Sequence, residues 1–217
     1  MPSSQIPGLQ EFLLDYPMMA LRPAKGAMTV IRGELAFQAT HADHSTVTDS
    51  FELKIEIPPD FPMALAQVTE LGKRIPRDRE HHVNSSDGTL CLGSPVRLIL
   101  ALAEKPTLVG FIERCLVPYL FAISQKLNNG GKLAFNELAH GNPGLLSDYL
   151  EIFGLKQSDH ARLAISYLGM KKRRANKLPC PCGCKKRLGK CRFNLTIRKF
   201  RSLASRSWYR NQHLALL

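Results

Sequence analysis

Phe51-Glu52-Leu53-Lys54-Ile55-Glu56-Ile57-Pro58-Pro59-Asp60-Phe61-Pro62 decides how this chain folds. From Phe51 to Ile57 apolar and charged residues alternate without a break, the period of a strand with one buried and one wet face. Pro58, Pro59 and Pro62 then end the ladder, because proline has no N–H to give it. Upstream, residues 27–41 carry strand character through Met28, Val30, Ile31, Leu35 and Phe37, and downstream a weaker strand covers residues 66–75. Sequential strands joined by short connections imply an antiparallel meander.

Helices are expected on either side of it. Pro7-Gly8 opens a short periodic segment (Leu9, Phe12, Leu13) that reads as a helix ending before Pro17. From residue 107 to about 126, apolar residues at 108, 111, 112, 115, 116, 119, 120 and 123 form one helical face. Asn128-Asn129-Gly130-Gly131 stops that helix, and Cys115 belongs to its stripe as a buried core thiol. A loop over residues 133–144 leads into two shorter helices, 145–153 and 158–168, the second with Ser158 and Asp159 as caps. The fold class is therefore α+β.

A chain of 217 residues holds one ordinary domain and a small appendage. No run is expected to reach the length of a membrane-spanning helix, and residues 1–14 contain Glu11 and lack the basic start of an export signal. The reading expects a cytoplasmic protein. Charge is divided unevenly: residues 1–170 carry 15 Lys and Arg against 18 Asp and Glu, whereas residues 171–217 carry 15 Lys and Arg and no acid. Cysteines divide the same way, with Cys91 and Cys115 in the body and Cys180, Cys182, Cys184 and Cys191 in the basic tail. So close a cluster in a chain without an export signal favours a metal over a disulfide framework.

His81-His82-Val83-Asn84-Ser85-Ser86-Asp87-Gly88-Thr89-Leu90-Cys91-Leu92-Gly93 places a cysteine after a turn-rich loop, with an asparagine upstream in a His-x-Asn triplet. A thiol can act as a nucleophile and a carboxamide can donate to a developing oxyanion. The alternative for Cys91 is a small buried hydrophobe at a strand end. Asp87 and Gly88 shape the turn.

Taken in order, the helix, the meander, the proline-rich turn FELKIEIPPDFP (51–62), the loop HHVNSSDGTLCLG (81–93) and the C-terminal helices resemble the ubiquitin-conjugating enzyme fold. That family shows an aromatic-proline turn, then His-Pro-Asn, a Gly, and a catalytic cysteine followed by Leu. Here Val83 stands at the proline and the loop is one residue shorter. Phe135 to Gly141, ahead of a Tyr-containing helix, is similar to bacterial members found in antiphage operons, including CBASS (cyclic-oligonucleotide signalling) and ubiquitin-like conjugation systems. The resemblance covers roughly residues 8–155.

It implies that Cys91 accepts the C-terminal carboxyl of a ubiquitin-like protein from an activating enzyme, as a thioester, and passes it to an amine of a target protein. A nucleotidyltransferase is one such target. Asn84 would stabilise the tetrahedral oxyanion or hold the loop that does. His82 would be a hydrogen-bonding residue of the site, and no cofactor is needed at Cys91. His140, in a Gly-containing loop after the long helix, is either a base for the incoming lysine or a histidine bonded to backbone. His41, His44, His81 and His160 have no partner visible in the sequence. Two other classes compete: a non-catalytic scaffold of the same fold, and a cysteine hydrolase pairing Cys91 with His82 or His140.

Cys180-Pro181-Cys182-Gly183-Cys184 and Cys191, seven residues beyond Cys184, resemble the SEC-C zinc-binding motif. Arg192 stands where that motif has its last ligand, and Cys184 is expected to complete a four-thiolate zinc site. Trp208, Tyr209, Phe193 and Phe200 interleave with the tail's cations, compatible with nucleic acid, with an acidic partner protein or with a small packed subdomain. Two domains are expected: 1–157, ubiquitin-conjugating-like, and 158–217, a basic helical extension with the motif at about 178–193.

Overall fold

The computed structural model describes residues 6–23, 26–40, 45–130 and 141–217. His140, His41, His44 and the segment from Phe135 to Ala139 lie outside the described residues. The elements run α1 (Leu9–Asp15), β1 (Met19–Arg22), β2 (Thr29–Thr40), β3 (Thr46–Ile57), β4 (Gln67–Glu70), α2 (Pro95–Glu104), α3 (Leu108–Phe111), a π turn (Ile112–Leu116) and α4 (Val117–Asn129). They continue with α5 (Asn142–Phe153), α6 (Ser158–Gly169), α7 (Lys172–Ala175), a 3-10 turn (Leu188–Lys190), α8 (Asn194–Arg201) and α9 (Arg206–Leu214). The fold class is α+β. The chain divides into two compact units, Met1–Gly93 with Leu100–Glu137, and Ser94–Ile99 with Leu138–Leu217. Residue 157, the expected domain boundary, falls within the second.

In the first unit the four strands form one antiparallel sheet in the order β1-β2-β3-β4. β3 follows its alternation: Phe51, Leu53, Ile55 and Ile57 are buried while Glu52 is exposed and Lys54 and Glu56 are half-exposed. β2 presents Ile31, Leu35 and Phe37 to the same core, with Gly33 between Ile31 and Leu35. A Cβ at Gly33 would sit 2.0 Å from the Met18 carbonyl oxygen, so only glycine lets β1 pair closely there. β1 was not expected from the sequence: four residues with one buried side chain carry no period. The 66–75 strand contracts to four residues of β4.

The long helix is a continuous run from Leu108 to Asn129, but interrupted by the π turn. Pro118 follows that turn, and a ring with no N–H that presses on the carbonyl four residues back is accommodated by widening the helix before it. Thr107 caps the start, accepting from the Gly110 amide at 3.0 Å, and Gly130 ends it at φ 68°. Cys115 is 2 % exposed, as expected of a core thiol, and burial pushes it up to about 11. Contrary to the sequence expectation, this run is long and apolar enough to cross a membrane by length and composition (22 residues, mean hydropathy 1.3), and 72 % of its apolar window is buried. A core helix reads this way. α4 packs on β2 and β3.

In the second unit α6 is the central helix, touched by α5, α7, α8 and α9. Its N-cap is Gln157, without a side-chain cap, so Ser158 and Asp159 lie inside the first turn instead of capping it. There the Asp159 charge still complements the helix's positive end. At the other end Arg201 donates to the carbonyls of Tyr167 and Met170 at 2.7 and 3.0 Å, placing a cation on the acceptors that a helix C-terminus leaves unpaired. Asp148 of α5 is fully buried but accepts from Ser94 and Arg97, which compensates its desolvation.

Candidate functional site

Cys91 stands on a small hairpin that extends the sheet. Val83 and Leu90 form a bridge, the Asn84 amide donates to the Thr89 carbonyl (2.9 Å), the Gly88 amide to the Asn84 carbonyl (2.8 Å), and the Cys91 amide to the His82 carbonyl (2.7 Å). The Leu90 amide donates to Val68 of β4 at 2.8 Å, and Thr89 bridges Thr69. The tip closes as Asp87 Oδ1 accepts from the Thr89 amide (2.9 Å) and hydroxyl (2.7 Å), with Gly88 at φ 73°. Val83, where the family resemblance has proline, uses the N–H that proline lacks: it donates to the Asp78 carbonyl at 3.0 Å.

This pairing fixes which way the side chains point. Bridged residues share a face and neighbours along a strand alternate. Val83 and Leu90 are 5 % and 8 % exposed and face the core. Asn84 and Cys91, each next to one of them, therefore project from the opposite face, and both are exposed. Such diagonal neighbours have backbones about 7–8 Å apart, a gap that a carboxamide and an acyl group together span. Asn84 Oδ1 accepts from the Ser86 amide (3.2 Å) and hydroxyl (2.9 Å), which leaves the amide nitrogen as the end able to donate.

α4 holds the segment leading into the hairpin. The Tyr119 hydroxyl donates to the His81 carbonyl at 2.8 Å, Lys126 Nζ to the Glu80 carbonyl at 2.7 Å, and the Ser124 hydroxyl to Asp49 at 2.7 Å. Asp49 in turn takes both ends of Arg74, whose guanidinium lies 4.5 Å from the Phe51 ring centre. Tyr119 was read from the sequence only as part of the apolar stripe, yet a buried tyrosine hydroxyl needs a partner, and that rule pointed to a tether. Burial first, then the charge of Cys91, pushes its phenol up.

His82 lies at φ 51°, and its carbonyl serves the Cys91 amide. His81 does have a partner: Nδ1 pairs with Asp78 Oδ1 at 2.8 Å, and that contact lowers the Asp78 carboxyl. The Cys91 thiol is shifted up, first by desolvation of the sulfur and then by the Asp87 carboxylate. Both causes favour the protonated thiol. Alkylation of Cys91 by iodoacetamide, followed by peptide mass spectrometry, should therefore rise at higher pH than alkylation of free cysteine. Asp87→Asn removes the second cause, so the rate at pH 7 should rise and the profile should move to lower pH. An unchanged profile would show that Asp87 does not act on the thiol.

In the second unit, Cys180, Cys182, Cys184 and Cys191 place their sulfurs within 4.8 Å of one another and can hold a metal ion. Neighbouring sulfurs are 3.2 Å (Cys180 to Cys182), 3.6 Å (Cys182 to Cys191) and 3.5 Å (Cys184 to Cys191) apart. A tetrahedron with metal–sulfur bonds near 2.3 Å needs about 3.8 Å. The Phe193 amide donates to the Cys191 sulfur at 3.4 Å. The Lys186 amide is the first cause that lowers Cys184 to about 7, whereas burial pushes Cys180 up. The hairpin is closed by the Pro179–Arg187 bridge and turns at Gly183 (φ 78°), where a Cβ would meet the His160 ring at 2.9 Å. His160 thus packs beside the hairpin.

No family model, curated protein or solved structure matches this chain. The chemistry of both sites therefore rests on their own geometry.

Proposed function

We propose that the first unit is a ubiquitin-conjugating-type transferase. The observation that carries this reading is the exposed Cys91 thiol sharing a hairpin face with the Asn84 carboxamide, at the end of a helix–meander–loop order. The Cys91 thiolate attacks the thioester carbonyl that links a ubiquitin-like protein to its activating enzyme. The tetrahedral oxyanion then collapses, expelling the enzyme's thiolate and leaving the carrier on Cys91. A target amine attacks in turn, loses its proton to solvent or a base, forms an amide and releases the Cys91 thiolate. The Asn84 amide N–H donates to the oxyanion in both steps. The setting that the sequence resemblance carries is bacterial antiphage defence such as CBASS. In the second unit the four thiolates hold zinc, whose preference for tetrahedral sulfur suits the cluster.

A second reading is a non-catalytic scaffold, which the raised thiol favours over either nucleophilic role, transferase or hydrolase. A peptidase nucleophile is activated by its base, whereas burial and Asp87 both work against the Cys91 thiolate.

The test incubates the protein with a ubiquitin-like protein, its activating enzyme and ATP, and separates products without reductant. A thiol-sensitive adduct is expected with the parent, none with Cys91→Ala, and a thiol-resistant ester with Cys91→Ser. An adduct retained in Cys91→Ala would sink the assignment, and full biological activity of that variant would favour the scaffold.

A further inference from the structure

The basic tail carries its cations on folded elements. Of the 15 Lys and Arg beyond Met170, all but Arg201 are exposed, and none enters an ion pair among the described residues. Ordered elements present them. Lys172, Arg173 and Arg174 lie on α7 beside the buried Ala175, and Lys185, Lys186 and Arg187 run along the returning arm of the cysteine hairpin, from just past its turn to its closing bridge. Lys190 and Arg192 flank Cys191, and Arg198 and Lys199 lie on α8, whose Ile197 and Phe200 are buried. Arg201, the exception, already has a structural task on the carbonyls of α6. Phe193 and Trp208, interleaved with these cations in the sequence, are half-exposed.

We propose that the second unit binds nucleic acid through this surface by contacts to backbone phosphates. Two features favour nucleic acid over an acidic protein. Protein–protein faces fix their register by mixing signs, and here no Asp or Glu lies between Lys171 and Leu217. The cations also arrive from several segments instead of converging on one pocket, which suits a continuous polyanion whose charges repeat every few ångströms. The half-exposed aromatics add stacking faces for unpaired bases. The inference is independent of the Cys91 chemistry.

The test measures fluorescence anisotropy of labelled single-stranded and duplex DNA of about 20 nucleotides with the zinc-loaded full chain. If about five phosphates are contacted, log K should fall against log salt with a slope of about −3.5 to −4.5, a loss of roughly a hundredfold or more between about 50 and 200 mM. The triple substitution Lys185→Gln, Lys186→Gln, Arg187→Gln should weaken binding at least tenfold and flatten the slope, each lost contact removing about 0.7–0.9 of it. Because the triple variant borders Cys184, the pair Arg198→Gln, Lys199→Gln on α8 is measured beside it, with zinc content and melting curve as fold controls. Loss in the α8 pair with both controls unchanged supports the proposal even where the triple variant loses zinc. A flat salt dependence, or no binding at low salt, overturns it. Poly-glutamate competing as well as DNA per unit charge also overturns it, in favour of an acidic protein partner.

Discussion

Stripping the metal from the cysteine cluster is expected to melt the surrounding part of the second unit. The purified protein should contain one zinc per chain by elemental analysis, and a strong chelator should lower the thermal midpoint and remove a step of helical signal. Structural zinc in small peptides contributes apparent free energies of about 10–16 kcal/mol, because the site does not exist in the unfolded chain. Here the loss should be smaller, since α6 keeps partners of its own in α5 and α9. Charge adds to the effect. Four thiolates and one zinc ion carry two net negative charges into a segment with 15 cations and no acid, so the holo form relieves a self-repulsion that the apo form must bear. Added salt should therefore raise the apo midpoint more than the holo midpoint. Cys184→Ser tests the ligand alone, since Cys184 is exposed and packs little, whereas Cys180→Ser removes a ligand and also buries a hydroxyl. Both should lose stoichiometric zinc. A midpoint indifferent to chelator, or a mass short by the hydrogens of disulfide bonds, would exclude the zinc site.

The meander was legible because β3 has a strict period of two and one buried face, a signal that short strands lack. β1 has four residues on an edge, and its pairing depends on Gly33 admitting it, a distant relation that no local pattern announces. α2 was missed although its start was written in the chain: Ser94 accepts from the Arg97 amide at 3.3 Å and Pro95 takes the first position, the cap-then-proline order that opens helices. The cysteine spacing disclosed the cluster, but the close approach of its four sulfurs depends on backbone turns at Gly183 and Lys185. At Cys91 the residue types were readable. The shared face was not, because it depends on the Val83–Leu90 bridge and hence on the register of a hairpin whose tip is set by Asp87 and Gly88. Tyr119 and Lys126 were hidden for a different cause: they act on carbonyls of residues 80 and 81, far away in sequence.

Replacing Asn84 should separate two roles that an alanine scan confuses. In single-turnover discharge of a Cys91-linked carrier to free lysine, Asn84→Ala is expected to slow transfer about 10²–10³-fold, the usual cost of one lost oxyanion donor. Its melting curve should hardly move, because the residue is exposed and, among the described residues, its side-chain bonds are to Ser86. That result alone leaves open whether Asn84 donates to the oxyanion or holds the loop through Ser86. Asn84→Asp decides. The aspartate keeps an oxygen for the Ser86 amide and hydroxyl, so a residue that only shapes the loop would tolerate the change. It removes the N–H donor, however, and sets a second carboxylate beside a thiol that desolvation first, and the Asp87 charge second, already shift up. If donation is the role, discharge in Asn84→Asp should be at least as slow as in Asn84→Ala, and Cys91 alkylation at pH 7 should slow as well. An aspartate variant that transfers at the parent rate would assign Asn84 to the loop and leave the oxyanion to the backbone amides of the hairpin.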